Sequence, residues 1–171
     1  MSDQNDPITE EPPAQHFDTE PLRQEVLKEI RRLNRLSNQG LWGLAIFILI
    51  SLGAQRNFDF LPPISEEVRA VLGAAPPIKL VSIALVVYSF SALILILSRM
   101  MGGSETYRGW SHLGYLSGFY IFYYYGNALA ENFWAVFAAG ATILSLEYYQ
   151  IWTFCSEAMK TEKQLLEKLN D

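Results

Sequence analysis

The chain has a single cysteine and only two histidines, and this shortage excludes several kinds of site. Because Cys155 stands alone, an internal disulfide and a cysteine-based zinc or iron–sulfur site made by this chain are excluded. A bis-histidine haem needs two axial ligands at matching depth, whereas His16 lies near the N-terminus and His112 lies in an apolar stretch. Phosphate-binding glycine loops and the HExxH pattern are missing as well. We therefore predict no metal, no cofactor, no catalytic residue and no enzymatic activity.

Charge is nearly absent from four long apolar stretches, and a helix of about 20 apolar residues crosses the hydrocarbon core of a bilayer. Leu80–Leu97 has no charged residue, and the last stretch has only Glu147. The first run, Leu41–Ala54, is short, so a buried soluble helix and a re-entrant segment are alternatives there. The pattern predicts an all-α, polytopic membrane protein whose transmembrane domain, 40–155, is an antiparallel four-helix bundle. The predicted spans are about 40–58, 78–99, 110–130 and 132–155.

The basic residues predict the orientation, because cytoplasmic loops carry an excess of lysine and arginine. Of the 13 basic residues, the three on one side of the predicted bundle are Arg56, Arg69 and Lys79. The others flank the opposite side, so both termini are expected in the cytoplasm, and the host membrane is expected to be a bacterial inner membrane. These other residues are Arg23, Lys28, Arg31, Arg32, Arg35, Arg99, Arg108, Lys160, Lys163 and Lys168.

Three segments are expected outside the membrane on the cytoplasmic side. Residues 1–20 are acidic and proline-rich, which predicts a disordered tail. Residues 21–39 form an amphipathic helix, and residues 156–171 form a C-terminal helix of mixed charge. We expect each extension to bind either lipid headgroups or another helix. We favour protein contact, because acidic and basic residues nearly cancel in both segments.

The connection Asn57–Lys79 carries the signals of a short helix. Ser65 is a capping residue, acidic residues follow it, and Gly73 ends the helix. We expect this helix at the outer membrane surface or packed as a cap over the bundle. Its apolar residues, expected to contact lipid or protein, are Ile64, Val68, Val71 and Leu72.

Glu147 is the principal candidate site residue, because a carboxylate inside the hydrocarbon must find a partner or stay protonated. Counted from Cys155, Glu147 lies roughly 12 Å inside the cytoplasmic boundary. His112, Tyr115 and Ser117 belong to the third predicted span, enter from the cytoplasmic side and are expected near the level of Glu147. The four residues therefore predict an intramembrane polar cluster. Three roles are open: a hydrogen bond within the helical hairpin, a protonation or ligand site, and a pair with a basic residue of another subunit.

Small residues predict close helix packing in the last two spans. Gly114 and Gly118 are four residues apart, a spacing that lets another helix approach. The facing candidates on the fourth span are Ala135, Ala139 and Gly140.

The layout resembles that of small accessory subunits in bacterial membrane assemblies, a similarity of architecture that assigns no residues. We therefore expect a non-catalytic accessory or scaffold subunit of a larger membrane complex. Its expected partners are the lipid bilayer and either other membrane subunits or further copies of itself, with no nucleic acid. The alternative is a quinone-interacting or proton-conducting subunit of a respiratory redox complex. A third reading is a small-molecule channel formed by oligomers.

Overall fold

The computed structural model describes residues 19–60, 62, 65–102 and 108–168, and this part of the chain is helical without strands. The predicted acidic tail, 1–20, lies outside the described residues except for its last two, which belong to the first helix. The C-terminal helix predicted over 156–171 is described as far as Lys168. The helices are α1 (Thr19–Gln55), α2 (Glu66–Leu72), α3 (Ile78–Gly102), α4 (Gly109–Tyr125) and α5 (Leu129–Lys168). The all-α prediction is thus confirmed for the described residues.

Three of these helices, α1, α3 and α5, are long and apolar enough to cross a bilayer, which indicates a membrane protein. The third predicted span, 110–130, corresponds to α4, which has 17 residues and is not among the three. It is shorter than predicted because the chain turns at Gly126 and Asn127, where Asn127 has φ 53°. The structure therefore supports three spans, and a fourth crossing by α4 stays a prediction.

The outer surface of α3 is strongly apolar. Four residues of α3 are buried against the other helices, whereas large apolar side chains occupy most of its remaining surface. Phe90, for example, is 68% exposed. Such a surface is costly in water and is suited to hydrocarbon.

Helices α1 and α5 form the most extensive helix pair, and they run antiparallel. Phe47 of α1 packs where Gly140 leaves room on α5, and a Cβ at Gly140 would overlap the Phe47 ring. Gly40 of α1 likewise lies against Tyr148. Farther along, Leu33 packs against the second half of α5. The N-terminal extension and the first predicted span therefore form one continuous helix of 37 residues. The fourth predicted span and the C-terminal extension form another, of 40 residues.

Helix α4 packs against α1, α3 and α5, and two tyrosine hydroxyls connect it to the first two. The Tyr120 hydroxyl donates to Ser51 Oγ of α1 at 3.0 Å. The Tyr123 hydroxyl shares a hydrogen bond with Ser82 Oγ of α3 at 2.9 Å. Both tyrosines are fully buried. The polar atoms of this aromatic segment are therefore satisfied between helices.

The capping signals of α2 are confirmed. Ser65 Oγ accepts a hydrogen bond from the Val68 amide at 3.3 Å, and Gly73 ends the helix with φ 77°. The Tyr125 hydroxyl donates to the Gly73 carbonyl at 2.5 Å and connects this end of α2 to α4. Of the predicted contact residues, Ile64 lies outside the described residues. Val68, Val71 and Leu72 are exposed, so α2 does not pack as a cap over the bundle.

Candidate functional site: a buried polar cluster between three helices

A buried carboxylate lies where the end of α3 and the start of α4 meet α5. Glu147 of α5 is 1% exposed. Arg99 comes from the last turn of α3, and His112 comes from the first turn of α4. Tyr88, from the middle of α3, completes the group. We call these four side chains the polar cluster.

Both oxygens of the Glu147 carboxylate are engaged by donors of the same chain. Arg99 Nη1 donates to Oε1 at 2.8 Å, and the Arg108 backbone amide donates to Oε2 at 3.4 Å. His112 Nε2 lies 3.2 Å from Oε1, within ion-pair distance but without hydrogen-bond geometry. On the opposite edge of the ring, His112 Nδ1 is 2.7 Å from the Tyr88 hydroxyl. The histidine thus lies between a phenol and a carboxylate.

The surroundings of Glu147 compensate its charge. A buried carboxylate without a partner is strongly destabilising, and a paired, hydrogen-bonded carboxylate is tolerated. Arg99 supplies a cation that is itself only 15% exposed. The N-terminus of α4, capped by Arg108, directs the positive end of its helix dipole toward the carboxylate. One side chain of α5 therefore binds the ends of two other helices.

The structure brings together two of the four residues predicted for the cluster, Glu147 and His112. Tyr115 is 62% exposed, and its ring lies against that of Tyr88 at 5.6 Å between centroids. Ser117 donates to the Leu113 carbonyl of its own helix at 2.8 Å. Glu147 lies beside the C-terminal end of α3 and the N-terminal end of α4. Its depth in the bilayer stays a prediction.

Sequence reasoning missed two members of the polar cluster, Arg99 and Tyr88, and also missed the Arg108 amide that donates to Glu147. A signal for Arg99 was present, since it is the basic residue that follows the second apolar run and Glu147 is the single acid of the last run. Because α3 and α5 run parallel, with Ile96 packed against Ile143, Arg99 reaches Glu147 one turn later on both helices. A pair with another subunit is therefore not needed to account for the buried carboxylate.

The small residues predicted for helix packing lie in different surroundings. Gly140 receives Phe47, and Ala139 packs against the main apolar core. Gly114 and Gly118 face open space, with nothing within 4 Å of a Cβ at either position, and Ala135 is exposed. Within this chain, Gly140 alone of the three glycines receives a neighbouring helix.

Among the described residues, no group of three or more histidine, cysteine, aspartate or glutamate side chains is placed to hold a metal ion. No protein-family model, no curated protein and no solved structure matches this chain. The interpretation of the polar cluster therefore rests on its own geometry.

Proposed function

We propose that this chain is a non-catalytic accessory or scaffold subunit of a larger complex in the bacterial inner membrane. The observation that carries the proposal is the occupation of both Glu147 carboxylate oxygens by donors of the same chain. A carboxylate engaged in this way binds helices to each other, and its protein partners leave it little freedom to take up a ligand. The polar cluster is then the element that holds α3, α4 and α5 in one arrangement.

In this proposal the chain crosses the bilayer four times as an antiparallel bundle, with both termini in the cytoplasm. Helix α4, with 17 residues, is about 25 Å long and falls at the lower end of the range for spanning helices. Its contacts with α1, α3 and α5 support this placement. The basic residues that flank α1, α3 and α5 on one side support the orientation.

The α1–α5 pair supplies the partner-binding part of the scaffold. Beyond the level of the polar cluster, Leu33 packs with Ile151 and Cys155, so the two helices stay paired as they leave the bundle. The surface of this pair carries charged side chains of both signs. It is therefore suited to contacts outside the hydrocarbon.

The test is purification from native membranes of the wild-type chain, Glu147→Gln and Glu147→Leu, followed by identification of the co-purifying proteins. Glutamine retains hydrogen-bonding atoms, so if the chain is a scaffold, the same partners are expected to co-purify with Glu147→Gln in near wild-type yield. Leucine leaves the largely enclosed Arg99 side chain without its partner and is expected to reduce the yield of the complex. The matched control is Glu157→Gln, at an exposed position of α5. Recovery of a solitary oligomer from wild-type membranes would contradict the proposal.

A second candidate, a quinone-interacting or proton-conducting subunit of a redox complex, is favoured by one observation. Tyr88, His112 and Glu147 form a continuous series of proton-exchanging groups with separations of 2.7 and 3.2 Å. In that case cytochromes or dehydrogenases co-purify, and Glu147→Gln assembles normally but lowers their turnover. The third hypothesis is a small-molecule channel formed by oligomers. It requires that the purified protein produce conductance in liposomes.

A further inference from the structure

The basic residues of α1 before the membrane fall into two classes by their contacts. Arg23 pairs with Glu20 at 3.6 Å, and Arg32 pairs with Glu29 at 2.5 Å. Lys28, Arg31 and Arg35 are exposed and form no ion pair or hydrogen bond within the described part of the chain. We call these three residues the basic face. Glu20 and Glu29 are thus paired with other cations, and the basic face has no ion-pair partner among the described residues.

By helical periodicity the backbone positions of the basic face lie on a different side of α1 from the line of residues that contacts α5, although their long side chains line one groove together with Glu162 of α5. Residues seven apart share one face of a helix, and Leu33, Gly40 and Phe47 form the line that contacts α5.

A second line of the same spacing contains Arg35, Trp42 and Leu49, with Lys28 seven residues before Arg35. Trp42 is 64% and Leu49 is 66% exposed. The lipid-facing side of α1 therefore continues without interruption into the basic face.

The heights along α1 bring Arg35 and Arg31 within reach of the headgroups. Tryptophan favours the membrane interface, and the headgroup layer extends about 5–8 Å beyond the hydrocarbon. At about 1.5 Å per residue, Arg35 lies about 10 Å and Arg31 about 16 Å beyond Trp42, and long side chains reach back toward the interface. Lys28 is about 21 Å away and acts only by long-range attraction. Glu29, the one acid between Lys28 and Trp42, is paired with Arg32.

We propose that Arg31 and Arg35 bind the headgroups of anionic phospholipids in the leaflet from which the α1–α5 pair emerges, and that Lys28 attracts these headgroups at longer range. This inference rests on the crossing of the membrane by α1 that the proposed function includes. It reassigns this face of α1 from protein contact to lipid contact, because a one-sided basic surface in line with exposed tryptophan matches a negatively charged membrane surface. Arg35 contributes most and Lys28 least.

The test uses the full-length protein in mixed micelles of phosphatidylglycerol and phosphatidylcholine, with retained lipids counted by native mass spectrometry. The wild-type chain is expected to enrich phosphatidylglycerol several-fold over its share of the mixture, and the triple variant K28Q/R31Q/R35Q is expected to lose that enrichment. The matched control R23Q/R32Q/K163Q removes the same charge at other positions and is expected to keep it. Among single variants, R35Q should have the largest effect and K28Q the smallest.

Equal enrichment in the triple variant and the wild type, or equal loss in the control, would overturn the lipid assignment. If the triple variant instead loses a co-purifying protein while phosphatidylglycerol stays enriched, the face binds an acidic protein and the assignment is likewise overturned. Helicity measured by circular dichroism verifies that each variant is folded. Alkaline carbonate extraction separates the two proposals: release of the wild-type chain contradicts the membrane crossing, whereas retention together with an unaffected triple variant contradicts the lipid site alone.

Discussion

Two polar regions between the described helices satisfy buried polar groups with different chemistry. Near the start of α4, Glu147 is buried against Arg99 and His112. Farther along α4, Tyr120 and Tyr123 make neutral hydrogen bonds to serines of α1 and α3. In the first region the loss of one partner leaves a buried charge, whereas in the second it leaves at most a small hydroxyl.

This difference indicates where the stability of the fold is most sensitive to the loss of a polar side chain. Polar pairs between membrane helices contribute about 0.6 kcal/mol on average, because the separated helices find other partners. Breaking a buried ion pair costs about 3–5 kcal/mol in soluble proteins, since the remaining charge is uncompensated. The charged region should therefore determine whether α3 and α4 stay on α5, while the neutral region adjusts the stability of the arrangement.

The largest effect is expected for Arg99→Leu, which leaves the Glu147 carboxylate buried without its cation. The free energy of unfolding in detergent should fall by about 3–5 kcal/mol. Arg108→Gln is the matched control, because Arg108 donates to Glu147 through its backbone amide, which the substitution keeps, and the residue is exposed. The double variant Arg99→Leu with Glu147→Leu should recover part of the loss. If Arg99→Leu is no more destabilising than Arg108→Gln, the two polar regions do not differ as described.

An intermediate effect on stability is expected at an apolar contact of α5, the helix that carries Glu147. This contact provides a reference value between the effects expected for the two polar regions. Gly140→Leu places a side chain where the Phe47 ring lies and should lower the free energy of unfolding by about 1–3 kcal/mol through overpacking. Gly114→Leu, at a glycine with open space around it, should leave the stability of the monomer nearly unchanged. Equal loss in both variants, measured in the monomeric fraction, would show that the close approach of α1 and α5 does not limit stability.

The smallest effect is expected for Tyr120→Phe, which removes one neutral hydrogen bond and keeps the buried ring. The free energy of unfolding should fall by about 0.6 kcal/mol, the average for such pairs in a membrane protein. Tyr125→Phe is a comparison outside the core, because the Tyr125 hydroxyl binds the Gly73 carbonyl at the end of α2. A loss at Tyr120 as large as that of Arg99→Leu would remove the distinction between charged and neutral regions.

Local features of the fold were predictable because they depend on neighbouring residues. The apolar runs form helices near the predicted positions, and α2 begins after Ser65 and ends before Gly73 as predicted. The end of the third apolar run was not predicted, since a positive φ at Asn127 stops α4 five residues before the run ends.

The polar cluster was predictable only in part. A carboxylate within an apolar run requires a partner, so Glu147 stood out, and His112 was within reach of it. Tyr115 and Ser117 were predicted from their level alone, but helical residues at a suitable level still differ in direction. Tyr115 turns outward, and Ser117 bonds to its own backbone.

The amino-acid sequence by itself determined that this chain forms apolar helices, that α2 begins and ends where it does, and that Glu147 must be compensated. These properties follow from short-range hydrogen bonding and from the cost of burying charge, which depend on residue type and spacing. The tertiary structure decided that Arg99 is the compensating cation and that Gly140 rather than Gly114 admits a neighbouring helix. It also decided that Lys28, Arg31 and Arg35 have no ion-pair partner within the described helices. Each of these depends on the register and rotation between helices far apart in the chain, where a shift of one residue turns a side chain by about 100°.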